Sequence, residues 1–404
     1  MKGLTVWPVP VTAYSVISNC GLGNHALYQA LSSNETQLAE LTLLDVPFDT
    51  PVGEISADLP EIQQSLSEYD SRNARVALAA LNYQEDGLLA AIESAKERYG
   101  SDRIGVVIGT STSGLYETES AYQVFLEQGR MPDDFHFLTR HAYQATPRFL
   151  QKQLQLQGPC FAISTACSSG AKAIAAGQRL INHDVCDAVL VGGADTLCRL
   201  TLCGFNSLEL VSPEFCQPMD QNRNGINIGE AAALLLLEKS STQYDHLPHV
   251  LSVGESSDAY HMSSPDPDGK GAITAMNKAL QLADIQPSDI DYLNLHATAT
   301  QINDSVEAKA VYEVFNEAVS CSGSKGITGH TLGAAGAVEA IVCLLALKYQ
   351  MIPGTCGMEQ VDQGFHCQVV NESIAGTKLQ TVMSNSFGFG GNNASLIMSK
   401  NHER

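Results

Sequence analysis

Short apolar runs ending in or near small residues, separated by helical stretches, recur along both halves of this 404-residue chain. Ile104-Gly-Val-Val-Ile-Gly109 and Ala188-Val-Leu-Val-Gly-Gly193 show no apolar/polar alternation, so both faces need cover. They read as buried parallel strands. Ala231 to Glu238 is a third, and His249 to Val253, Tyr292 to Leu295 and Val382 to Asn385 take the same part in the second half. Helical patterns over 168–182, 272–283, 304–315 and 336–349 alternate with them, which predicts an α/β architecture. The 33 glycines suit the many tight strand-to-helix turns such an architecture needs. A break near residues 240–247 predicts two halves, 1–245 and 246–404, within one compact body. The pattern is compatible with a duplication, although the self-similarity is too weak to prove one.

The net charge of -21 argues against nucleic-acid or anionic-membrane binding. An acidic protein partner would then need a local basic patch. The eleven cysteines form no CxxC pair and the eleven histidines no HExxH, so the reading is reduced thiols in a cytoplasmic protein without a metal site. The opening Met1-Lys2-Gly3 leads into no apolar signal region. The longest apolar runs, such as Ala231 to Leu237, read as far too short for a bilayer span.

Three segments carry chemistry. Ile163-Ser-Thr-Ala-Cys167-Ser-Ser-Gly170 joins a strand to an Ala-rich helix, and the unpaired N–H groups and dipole at a helix start favour a thiolate. Cys167 is thus either an acyl-accepting nucleophile or a packed core thiol. Asn294-Leu-His296-Ala-Thr298-Ala-Thr300 and Lys325-Gly-Ile-Thr-Gly-His330, the latter running on to Glu339, place two histidines in strand-terminal or Gly-rich loops. Two N–H donors aimed at a thioester oxygen would stabilise the enolate left when a malonyl unit loses CO2. Ser384-Asn-Ser-Phe387-Gly-Phe389-Gly-Gly-Asn-Asn393 is dense in glycine, and a backbone N–H there could complete an oxyanion hole with that of Cys167. Read bluntly, the same loop is a tight turn with core phenylalanines.

Together and in this order, the motifs resemble the elongating β-ketoacyl-[acyl-carrier-protein] synthases, condensing enzymes of the thiolase superfamily. The resemblance covers the chain from about residue 100 onward, and Pro218-Met-Asp220, Arg223-Asn-Gly225, Gly229-Glu230 and Asp258-Ala-Tyr-His261-Met extend it. It implies a five-layer αβαβα fold with two pseudo-duplicated halves. It assigns Cys167 as nucleophile, His296 and His330 as the pair polarising the malonyl thioester, and Lys325 and Glu339 as their charged support. Thr298 and Thr300 match contacts to the phosphopantetheine arm. Phe389, with Phe387 beside it, matches a gating aromatic. No cofactor is implied beyond the phosphopantetheine of an acyl carrier protein. The implied partners are that carrier and a second subunit, in a homodimer or in a heterodimer with a chain-length-factor homologue. Arg72 and Arg75 fall where a carrier-docking helix is expected.

The chain departs from the family pattern at Ala297 and Ala299, where glycines are usual, at Gln301 and Asn303, and at Asn224 and Asn392. The two extra methyl groups are expected to narrow this loop and could reshape the pantetheine channel. The departures suggest a specialised polyketide or polyene branch. A chain-length factor, which lacks the nucleophile, fits poorly because Cys167, His296, Lys325 and His330 are all present. A thiolase would need a second reactive cysteine near the end of the chain, and Cys321-Ser-Gly323 lies too early. A type III-like synthase would lack His330.

Overall fold

The computed structural model describes residues 6–401; the opening Met1-Lys2-Gly3 lies outside them. The first half runs β1 (Val9–Ser18), β2 (Gly21–Leu22), α1 (Gly23–Ser33), β3 (Ala39–Glu40), β4 (Pro51–Val52), α2 (Arg72–Asn82), α3 (Leu88–Tyr99), β5 (Ile104–Gly109), α4 (Leu115–Gln128), α5 (Ala145–Gln153), β6 (Cys160–Ile163), α6 (Ser169–Asn182), β7 (Ala188–Asp195), α7 (Arg199–Ser207) and β8 (Ala231–Glu238). The second runs β9 (His249–Ser257), α8 (Lys270–Ala283), β10 (Tyr292–Asn294), α9 (Gln301–Phe315), β11 (Ser320–Ser322), α10 (Lys325–Thr328), α11 (Ala335–Tyr349), β12 (Met351–Ile352), β13 (Gln368–Val369), β14 (Ile374–Ala375), β15 (Thr381–Gly388) and β16 (Asn392–Ser399).

Strand order reveals the duplication that residue identity hides. The first half is ordered β1-β8-β7-β5-β6 and the second β9-β16-β15-β10-β11. Taken by rank within each half, both read first, fifth, fourth, second, third. The directions match as well: β7–β5 and β5–β6 are parallel, as are β15–β10 and β10–β11, while β1–β8 and β7–β8 are antiparallel like β9–β16 and β15–β16. The halves join where β1 meets β9 at Val9↔Val250 and Pro10↔His249.

Three apolar cores account for the five layers. One outer core packs α2, α3 and α5 on the first sheet. The other packs α8 and α9 on the second. Between the sheets, α6 and α11 form the middle layer with strand residues from both halves. Such a helix must be apolar on all sides. In α11 every residue from Ala335 to Leu347 is buried. This corrects the reading of Ala231 to Leu237 as typical of the longest apolar runs. Leu332–Tyr349 has the length and hydropathy of a membrane span, yet 89% of it is buried inside the protein.

The middle helices touch at their N-terminal ends. A Cβ on Gly170 would lie 2.7 Å from the amide nitrogen of Ala337, and one on Gly336 would lie 2.7 Å from that of Ala171. Only glycine permits that approach, and it draws the residues just before each helix together. Gly170→Ala is therefore expected to destabilise the protein by about 1–3 kcal/mol through overpacking. Urea unfolding of the variant against the parent measures the difference.

Candidate active site

The turn into α6 is tight enough to force Ala166 to φ +52°. Small hydroxylated side chains hold it. The Ser169 hydroxyl accepts the Thr165 N–H at 2.8 Å and donates to the Ala166 carbonyl at 2.6 Å. The backbone N–H groups of Cys167 and Phe389 lie close enough to the Cys167 sulfur that this turn presents to favour its charged form. The Gly-Phe-Gly loop thus comes close to the Cys167 turn, as the expected pairing requires. Gly388 makes it possible, because a Cβ there would lie 2.9 Å from the Thr165 carbonyl and 3.2 Å from the Cys167 nitrogen.

His330 enters from the other half. Its backbone is stitched to the segment after Arg223, donating to the Asn227 carbonyl at 2.7 Å and accepting from the Gly229 N–H at 3.0 Å. Its ring Nε2 stands 3.0 Å from the Cys167 sulfur. Its Nδ1 accepts the Leu332 N–H at 3.1 Å, so the ring proton belongs on Nε2. His296 crosses it nearly at right angles, with ring centroids 5.4 Å apart. The Lys325 ammonium lies 3.3 Å from His296 Nδ1, donates to the His296 carbonyl at 2.5 Å and pairs with Glu339. Since an ammonium can only donate, His296 also carries its proton on Nε2.

Burial, with Lys325 adding to it, holds both imidazoles well below their ordinary pKa; for His296 the second ring contributes too. Both are therefore neutral donors near pH 7. One ring nitrogen of each and the Cys167 sulfur lie within 4.8 Å of one another, a grouping that by composition alone would suit a soft metal ion. With Nδ1 of each ring engaged and Nε2 protonated, the set is arranged to donate hydrogen bonds rather than lone pairs. Burial pushes the Glu339 carboxyl up to about 7 against the pull of Lys325.

At Cys167 burial opposes the helix start. Burial pushes the Cys167 thiol up to about 11, although Lys325 and the Phe389 N–H oppose it. The N–H groups at the helix start do favour the thiolate, as expected, but burial outweighs them.

A cavity of about 370 Å³ has Cys167, His296 and His330 among its lining residues, together with Thr298, Thr300, Phe387 and Phe389. The two threonine hydroxyls lie 2.9 Å apart. Phe387 is buried against His296, and Phe389 is half-buried against Phe205 of α7, with centroids 5.5 Å apart. The Phe389 loop is braced from outside: Gly390 N–H donates to the Met262 carbonyl at 2.8 Å and Asp258 N–H to that of Gly391 at 3.0 Å. Cys167 is the sole cysteine lining this cavity, so Cys321, buried in β11, supplies no second thiol.

Two further expectations are corrected. Ala297 and Ala299 adopt φ +35° and +66°, the region where glycine is usual, but their methyl groups do not reach the channel to reshape it. Ala297 packs into the second outer core, facing Gly323, and Ala299 packs with Leu38 and Cys216; neither lines the cavity. Arg72 forms a largely buried pair with Glu230, and Arg75 makes two bonds to Asp70 at 2.6 and 2.7 Å. Both guanidinium charges are met within the chain, so α2 offers no unpaired basic patch from them.

Sequence reasoning missed the supports beneath the histidine loop. Glu307 accepts the N–H groups of His296 and Ala297 at 2.8 and 2.7 Å, and Asp304 accepts those of Met219 and Ala299 at 2.8 and 3.2 Å. The signal available was two carboxylates three residues apart on the stripe of α9 that also carries Ala308 and Val311. Arg223, from the motif after Pro218, donates to the Thr300 and Gln301 carbonyls and so shapes the cavity wall.

The buried neutral histidines make stability depend on pH. The unfolded chain binds protons at these rings below about pH 6.5 while the folded chain does not, so folding stability falls as pH falls through that value. Each such histidine contributes a slope of up to about 1.4 kcal/mol per pH unit. His330→Asn is expected to flatten the decline between about pH 6.5 and 5, read from urea unfolding at several pH values.

Comparison with known proteins agrees with this geometry. The family model for the β-ketoacyl synthase N-terminal domain matches residues 8–243, and that for the C-terminal domain residues 248–359. The 3-oxoacyl-[acyl-carrier-protein] synthase 2 of Coxiella burnetii is 30% identical over 420 residues, covering 97% of this chain and 98% of its own. The mitochondrial 3-oxoacyl-[acyl-carrier-protein] synthase of Arabidopsis thaliana is 31% identical over 430 residues, covering 96% of this chain and 92% of its own. A chain from the structure of the ketosynthase ApeO in complex with its chain length factor ApeC, from Xenorhabdus doucetiae, superposes with a TM-score of 0.90 at 40% identity, covering 97% of this chain and 98% of that one. By domain matches, by full-length identity and by fold, the chain belongs to the β-ketoacyl synthase family of condensing acyltransferases.

Proposed function

We propose that this chain lengthens a carrier-bound acyl group by decarboxylative condensation with a malonyl unit, using Cys167 as the acyl acceptor and His296 and His330 as the donors that polarise the malonyl thioester. The observation that carries the reading is the meeting of the Cys167 sulfur with two neutral imidazoles whose Nδ1 atoms are both engaged elsewhere. The curated relatives are named as synthases of 3-oxoacyl-[acyl-carrier-protein], which supports an acyl carrier protein as the partner delivering both substrates on phosphopantetheine.

In the first half-reaction the Cys167 sulfur attacks the acyl thioester carbon. The developing oxyanion faces the Cys167 and Phe389 N–H groups. The bond to the pantetheine sulfur breaks, and the thiol proton leaves, in net terms, with that sulfur. A thiol held near 11 suits this, because the proton moves only as the bond forms. In the second, the malonyl thioester oxygen accepts from the imidazoles, the carboxylate departs as CO2, and the enolate carbon attacks the acyl carbon. The Cys167 sulfur leaves as a thiolate and regains a proton from solvent. The product is a 3-oxoacyl carrier two carbons longer. Thr298 and Thr300 offer hydroxyls to the pantetheine arm. Phe389, in a loop with Gly390 and Gly391 at φ +78° and +71°, keeps acyl loading apart from malonyl binding.

A second reading concerns assembly and pathway. Identity to a chain of the ketosynthase and chain length factor complex is 40%, against 30% and 31% to the two curated synthases. This favours the active half of a heterodimer, in a specialised polyketide or polyene pathway, over a homodimeric housekeeping synthase. The eleven free thiols suit a cytoplasmic setting.

Cys167→Ala is expected to lower condensation by at least about 10³-fold, assayed with acyl- and malonyl-carrier thioesters. Cys167→Gln is expected to go on releasing CO2 from the malonyl carrier without condensation. Condensation retained in Cys167→Ala would contradict the assignment.

A further inference from the structure

One buried carboxylate takes no part in the steps above, yet it touches the turn that sets His330. Asp195 ends β7, is fully buried, and accepts hydrogen bonds from two directions. From the loop after β5 come the Thr110 hydroxyl at 2.5 Å, the Ser111 N–H at 2.8 and 2.9 Å, and the Thr112 N–H and hydroxyl at 2.9 and 2.8 Å. From the other half of the fold comes the Gly333 N–H at 2.6 Å. Three of these donors are backbone amides, which can only donate, so the carboxylate serves as acceptor. No Lys or Arg pairs with Asp195 among the described residues; amide and hydroxyl dipoles surround it instead.

Gly333 follows Leu332, and Leu332 supplies the N–H that holds His330 Nδ1. Leu332 sits at φ +53°, a conformation a branched side chain adopts only when its surroundings impose it. The Leu332 side chain packs with Val52, Leu197 and Ile228, and the Asp195 bond to the next residue fixes the backbone beside it. Gly333 is also the only residue type that fits, since a Cβ there would lie 2.7 Å from Asp195 Oδ2 and 2.7 Å from the Ser111 hydroxyl. Backbone strain at Leu332 is thus held between a carboxylate and a ring nitrogen.

We infer that Asp195 is a positioning residue for catalysis: through the Gly333 N–H it holds the strained Leu332 turn, and through the Leu332 N–H it keeps the His330 proton on Nε2, facing the substrate. The inference rests on the proposed role of His330. Asp195 itself stays outside the cavity.

The test separates the imidazole step from the acyl-transfer step. In a full-length Cys167→Gln chain, CO2 release from a malonyl-carrier thioester reports on the imidazoles alone. Adding Asp195→Asn, which keeps the volume but turns N–H groups toward N–H groups, is expected to slow that release roughly 30–100-fold. In the chain that retains Cys167, Asp195→Asn is expected to change the rate of Cys167 acylation by less than about threefold. Ring ¹⁵N spectra should show the His330 proton on Nε2 in the parent and a mixture of tautomers in the variant. Gly333→Ala pushes the turn off the carboxylate from the opposite side and should give the same signature; it decides the matter if Asp195→Asn does not fold. Equal falls in both half-reactions, or a His330 tautomer unchanged in the folded variant, would overturn the inference. A Cys167→Gln chain that releases no CO2 counts against the proposed function instead, and the ¹⁵N tautomer then judges Asp195 by itself.

Discussion

At the centre of the molecule α6 and α11 approach until backbone meets backbone, Gly170 against Ala337 and Gly336 against Ala171. Each helix belongs to a different half, and each begins just after a reactive residue. Cys167 stands two residues before α6, and His330 five residues before α11. Their contact, 163 residues apart in sequence, follows from the helix crossing and not from any local motif. The duplicated strand order explains why the crossing is possible, since two equivalent halves place equivalent helices on either side of the pseudo-axis. A fold that repeats itself creates one central seam, and the chemistry lies at one end of it.

The seam is apolar along most of its length, with Gln178 of α6 bonded to the Val250 carbonyl towards its far end and the charged groups gathered at the near one. There Lys325 and Glu339 are both buried, in contact with one another. A buried ion pair contributes little net stability, because desolvation offsets the attraction. Its value here is orientation. The ammonium fixes the His296 tautomer and loop, while Glu339 anchors the ammonium from α11. Glu307 and Asp304 do the same for the loop backbone from α9, and Arg223 from the segment before β8. The two imidazoles proposed as donors stay neutral, and the charges that support them, Lys325 with Glu339 and Arg223 with Asp362, meet partners of opposite sign. That separation suits the proposed reaction, in which the enolate charge would face the two imidazole donors.

Much of this was legible from residues alone, for a physical reason. The buried strands and the seam helix are continuous apolar runs, and Cys167, His296 and His330 lie in turns of small or hydroxylated residues next to strands or helices. Element ends were less legible: α8, α9 and α11 begin at Lys270, Gln301 and Ala335, one to three residues before their apolar pattern starts. The strands β11 and β16 went unread, β11 because it is three residues long and β16 because Asn392 to Ser399 mixes polar and apolar residues. Long-range polar contacts were not legible at all. Nothing local links Arg72 to Glu230, Glu307 to His296, or Asp195 to Gly333. The methyl groups of Ala297 and Ala299 misled for the same reason, since the direction of a side chain in a left-handed turn depends on what packs behind it.

In the proposed reaction everything downstream depends on Cys167 becoming acylated by a carrier-bound chain. The most direct measurement is the mass of the intact protein, followed by peptide mapping, after incubation with a panel of acyl-carrier thioesters. The account expects one acyl adduct per chain, on the peptide holding Cys167, with occupancy that varies with chain length. An adduct on another cysteine, such as the half-buried Cys203, or no adduct from any acyl carrier, would contradict it.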